Sequence, residues 1–122
     1  MTANAPANAA VWFEIPVTDM KRSMAFYGSV LDNELRLDET GPNPMAIFPA
    51  ATENAVAGHL YPGKPAQGSG PTIHLAVAAP LEAAMQRVTD NGGKVVSPVI
   101  TIPAGSFAYC ADPDGNSFGL FV

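Results

Sequence analysis

The feature that most constrains the fold of this sequence is that its second half repeats the pattern of its first without repeating its residues. The Gly/Pro-rich stretch YPGKPAQGSGP, 61–71, divides the chain, and such a run sustains neither a helix nor a strand ladder. Before it, VWFEIPV (11–17) alternates as a strand. Asp19 then stands where an N-cap belongs, ahead of Met20, Met24, Tyr27 and Leu31, which recur at helical spacing. Strands are expected at 34–38, 45–48 and 55–61. After the division Thr72 opens a strand to Val77, and Pro80 suits the first turn of a helix striped by Leu81, Ala84, Met85 and Val88. DNGGK supplies a glycine stop. Strands are expected at 94–97, 106–110 and 117–122, the last two joined by DPDGN, where Pro113 fixes φ and Gly115 is free to take φ > 0. Both halves thus read strand–helix–strand–strand–strand. Val17 to Val77 and Leu60 to Leu120 are each 60 positions apart.

The expected organisation is a disordered segment 1–10, then one domain, 11–122, made of module 11–61, linker 62–70 and module 71–122. A chain of 122 residues can bury one real core. Charged residues are only 14 %, against 48 % hydrophobic, so apolar surface is left over and a homodimer is expected. Net charge is −5 with six Lys and Arg, which opposes binding to nucleic acid or to an anionic membrane. Cys110 is the single cysteine and has no internal disulfide partner, as in a reducing compartment. The N-terminal MTANAPANAA lacks the features of a secretory signal and no run has transmembrane length. A cytoplasmic location is expected.

Within VWFEIPVTDM, Trp12, Glu14 and Pro16 share one strand face and Phe13, Ile15 and Val17 the other. A tryptophan beside a carboxylate suits the lining of a cavity better than a solvent face. Taken with WFEIPVTDMKRSMAFYGSVL, VTDNGGKVVSP and the closing YCADPDGNSFGLFV, the chain resembles the vicinal oxygen chelate superfamily of glyoxalases, bleomycin resistance proteins and extradiol dioxygenases. The resemblance implies an α+β fold in which two βαβββ modules form an eight-stranded incomplete barrel around a cavity. It also implies a metal held by His, Glu or Gln from the first and last strand of each module. Those positions fall here on Trp12, His59, Thr72 and Gly119. Of these only His59 is a good donor, and a catalytic ion needs about three protein ligands. The usual metal site is therefore expected to be missing, and no cofactor is expected. Glu14 and His74, again 60 apart, lie two residues beyond Trp12 and Thr72 on the cavity side.

The expected ligand site is thus Trp12, Glu14, His59, Thr72, His74 and Tyr109, with Glu14 and His74 as candidate acid and base. Phe107 shares Tyr109's face, whose direction the sequence leaves open. Each residue also has a plainer reading: Trp12 as core or interface packing, Glu14 as a solvated charge, His74 as a core histidine, His59 as a loop-end residue and Cys110 as an inert small hydrophobe. Three functions remain in view. The first is a binder of a small organic molecule in a metal-free cavity. The second is a glyoxalase-related lyase, isomerase or dioxygenase-type enzyme using Glu14 and His74, or an unusual metal site of Glu14, His59 and His74. The third is an interaction module with a vestigial cavity.

Overall fold

The structure is a computed structural model and describes residues 5–122. Part of the N-terminal segment expected to be disordered, residues 1–4, lies outside the described residues; 5–11 form neither helix nor strand. Module 1 runs β1 (Trp12–Val17), α1 (Met20–Leu31), β2 (Arg36–Asp38), β3 (Met45–Ile47) and β4 (Ala57–Pro62). Module 2 runs β5 (Ile73–Ala76), α2 (Leu81–Asp90), β6 (Lys94–Val95), β7 (Ile100–Ile102), β8 (Gly105–Ala111) and β9 (Ser117–Phe121). The sheets order β1-β4-β3-β2 and β5-β9-β8-β6, with β7 also on β8. In each, the first strand lies at an edge, parallel to the last. This is the expected pair of βαβββ modules, and the sheets do not close into a barrel.

The count of nine strands instead of eight arises because β6 and β7 are one strand broken in two. Val95 pairs with Cys110 and Ile100 with Phe107, so residues 96–99 face only 108 and 109. Pro98 has no N–H to give the ladder. Within the break, the Ser97 hydroxyl accepts the Tyr109 N–H at 2.8 Å, and Val96 N–H reaches the Tyr109 carbonyl at 2.9 Å. Together β6 and β7 hold the place of a single strand beside β8.

Asp19 caps α1 by accepting the Arg22 N–H at 3.0 Å. The buried line of α1 is Ser23, Phe26, Tyr27 and Val30, rotated from the expected stripe; Met20, Met24 and Leu31 pack on its flank. Phe26 and Val30 sit where both modules converge and so outrank the methionines. α2 buries Leu81, Ala84 and Val88 as expected. One core joins the modules: Ile15, Val17 and Leu60 from the first sheet, Leu75, Phe118 and Leu120 from the second, with Phe26, Tyr27 and Val88 between. Alternation along each strand then turns the opposite set of side chains away from the helices. That leaves two open sheet faces.

The β8–β9 turn ties the modules together. Gly115 takes φ +85 and its N–H closes the turn on the Asp112 carbonyl. The buried Asp112 carboxylate accepts from Tyr27 Oη at 2.7 Å and Asn116 Nδ2 at 2.9 Å, while Asn116 Nδ2 also donates to the Pro16 carbonyl. Asp114 accepts from Thr18 and from Arg22 Nη2 at 2.7 Å.

Candidate functional site

The open face of the first sheet presents Trp12 and Glu14 from β1 and His59 and Tyr61 from β4, because Glu14 lies directly opposite His59 in the parallel ladder. Trp12 Nε1 donates to His59 Nδ1 at 2.8 Å. His59 Nε2 stands 3.2 Å from Glu14 Oε2. An indole N–H can only donate, so Nδ1 is the accepting nitrogen and the ring proton sits on Nε2, facing the carboxylate. Nδ1 is thus hydrogen-bonded, and Nε2 lies beside the carboxylate. His59 is buried at 7 % exposure, whereas Trp12 remains 46 % exposed and the Glu14 side chain 62 %. The histidine is a fixed interior link between two groups that meet solvent.

The second sheet carries the corresponding positions in the same register. His74 lies opposite Gly119 as Glu14 lies opposite His59, and the pairs are again 60 residues apart. The imidazole, however, has changed strands. A Cβ on Gly119 would collide with the His74 ring, so glycine is what lets that ring lie across β9. Around His74 stand Phe107, Tyr109 and Phe121, with ring centroids 5.3, 5.7 and 6.3 Å away. Phe107 and Tyr109 therefore share the open face, settling their direction. Phe121 was not singled out from sequence, although alternation in SFGLF places it with Gly119. The Thr72 hydroxyl is hydrogen-bonded to that of Ser117.

The expected site residues are therefore sorted between two faces. Trp12, Glu14 and His59 form one connected group; His74 and Tyr109 form another. Glu14 and His74 line different clefts: Glu14 one of about 460 Å³ with His59 and Tyr61, His74 one of about 400 Å³ with Phe13 and Phe48. Glu14's partner is His59, a pairing invisible in sequence because neither residue announces which strand neighbours which. His59 is neither at a loop end nor exposed, and β4 continues past it to Pro62.

Residues 9–120 match the Glyoxalase/Bleomycin resistance protein/Dioxygenase superfamily. The chain belongs to that superfamily. Among solved structures, a hypothetical protein from S. aureus superposes with a TM-score of 0.72 at 21 % identity, covering 96 % of this chain and 99 % of that one. A glyoxalase/bleomycin resistance protein from Albidiferax ferrireducens T118 gives 0.68 at 20 % identity, over 93 % and 98 %. Glyoxalase I from Zea mays gives 0.64 at 21 % identity, over 91 % of this chain but 44 % of that one. These likenesses establish the fold. No curated protein matches the chain.

The four positions that the resemblance assigns to metal ligands, Trp12, His59, Thr72 and Gly119, do not offer an ion a set of donors. Trp12 occupies one nitrogen of His59 rather than ligating beside it. Thr72 is bonded to Ser117, and the space beside Gly119 is filled by His74. His59 and Glu14 would supply two donors, yet no group of three or more His, Cys, Asp or Glu is placed to share an ion among the described residues. The alternative metal site of Glu14, His59 and His74 is likewise not assembled there.

Proposed function

We propose that this chain binds a small organic molecule without a metal, against the open sheet faces that carry Trp12, Glu14, His59, Thr72, His74 and Tyr109. One observation carries the reading: the single good donor left at the superfamily's ligand positions, His59, has Nδ1 hydrogen-bonded to Trp12 and Nε2 3.2 Å from Glu14. What remains is aromatic surface with a few fixed polar groups, the usual character of a small-molecule site. An acidic chain with six Lys and Arg offers little to nucleic acid. No helix among the described residues is long and apolar enough to cross a membrane, and the cytoplasm suits a lone buried cysteine.

The exposed apolar residues on and beside these faces, including Trp12, Ile102, Tyr109 and Val122, favour a homodimer that covers them. A second reading, a glyoxalase-related lyase, isomerase or dioxygenase-type enzyme, is favoured by the 3.2 Å approach of Glu14 to His59, since a carboxylate and an imidazole side by side can serve acid–base chemistry. Thermal-shift screening of small aromatic and α-oxo compounds, with and without added divalent ions, separates the two. Binding predicts stabilisation independent of ions and no consumption of the compound. Turnover would favour the enzyme, and an absence of stabilisation by any compound would leave only an interaction module.

A further inference from the structure

Glu14 opens into a cleft of about 460 Å³ whose other walls include Pro42, Pro44, Met45, His59 and Tyr61. It is the only Asp, Glu, Lys or Arg in that lining, and the neighbouring His59 accepts the Trp12 N–H on Nδ1. One carboxylate oxygen faces His59; the other, Oε1, has no partner among the described residues. Lys64 lines a smaller cleft on the other side of Glu14, and no ion pair joins the two among the described residues. The geometry points to a site for an organic cation, with an amine on Glu14 and its apolar body against the proline, methionine and tyrosine walls.

This deepens the proposed small-molecule reading and rests on it. Four features support a cation over a neutral or anionic ligand. One carboxylate oxygen lies 3.2 Å from His59 Nε2, and the His59 ring is itself hydrogen-bonded to Trp12. The lining of this cleft holds no Lys or Arg, and Lys64 in the adjoining one makes no ion pair with Glu14 among the described residues. The Tyr61 ring adds a π-face to the wall. The chain as a whole carries −5 and so draws cations toward it.

Trp12 is the only tryptophan and is bonded to His59, so its fluorescence reports on this cleft. The test titrates the full chain with 2-phenylethylamine, 2-phenylethanol and 3-phenylpropionate, which share one apolar body and differ in charge. The amine is expected to bind about fivefold more tightly than the other two, the modest ratio reflecting a half-exposed carboxylate. Glu14→Gln should erase that preference, so that the variant binds the amine no more tightly than it binds the alcohol. Equal binding of all three probes, or a preference that survives Glu14→Gln, would overturn the cation site and leave the small-molecule reading standing. Silence to all three, with other compounds still stabilising the protein, would overturn it in the same way. Silence to every compound would sink both.

Discussion

Single residues here hold their neighbours by hydrogen bonds and by room. Trp12→Phe keeps the apolar bulk but strands His59 Nδ1, a buried acceptor, without its donor. The expected loss is about 1–3 kcal/mol in urea unfolding, and a His59→Phe background should remove most of it. Gly119→Ala should displace the His74 ring at a cost of about 1 kcal/mol, and His74→Ala should relieve that cost in a double-mutant cycle. Cys110 is buried at 1 % exposure, and desolvation raises its thiol pKa to about 11. The native protein should therefore resist alkylation by iodoacetamide at pH 8 and react fully in urea; rapid native labelling would contradict its inert role. The character of these positions was legible in the sequence: Trp12 beside Glu14 on one strand face, an imidazole at 59 and a glycine at 119. Their partners were not. Alternation fixes which side of a strand a residue faces, but only the strand order says that Glu14 meets His59 rather than His74.

At the scale of elements, the offset of 60 carried most of the fold. It set the two modules and the equivalence of the Glu14–His59 and His74–Gly119 pairs, because a constant offset preserves register. It missed the break at Pro98, where residues 96–99 stand opposite only 108 and 109, and the helical spacing placed the buried face of α1 on Met20, Met24, Tyr27 and Leu31, of which only Tyr27 lies in the buried line with Phe26 and Val30. An apolar arc wider than the contact leaves that angle to tertiary packing. The joint between elements is the buried Tyr27–Asp112 bond. Burial, followed by the neighbouring Asp112 charge, raises the Tyr27 pKa well above its usual value. Because the folded-state pKa is the higher one, the stabilisation is complete below the unfolded value of about 10 and is lost as pH rises beyond it. Buried Cys110 acts in the same direction. Urea unfolding should show stability falling between about pH 9 and 11, and Tyr27→Phe should flatten the fall while costing about 1–3 kcal/mol at neutral pH. A profile unchanged by Tyr27→Phe would place the alkaline loss elsewhere.

For the whole molecule, two open faces that expose Trp12 and Tyr109 on a chain with 14 % charged residues lead to the expectation of a homodimer. Sedimentation at micromolar concentration should give twice the 12.6 kDa chain mass; a monomer would mean these faces serve the ligand alone. The central claim is chemical: His59, the one good donor at the positions that the resemblance assigns to metal ligands, is bonded to Trp12 and lies beside Glu14. The resemblance locates the four positions in the sequence, and the contacts around Trp12, Thr72 and Gly119 give the reason that they do not fit an ion. Elemental analysis of protein purified without a polyhistidine tag and dialysed against buffer tests the claim most directly. Far less than one zinc, iron, nickel or manganese per chain is the predicted result. A stoichiometric ion that survives dialysis and is lost in His59→Phe would contradict it.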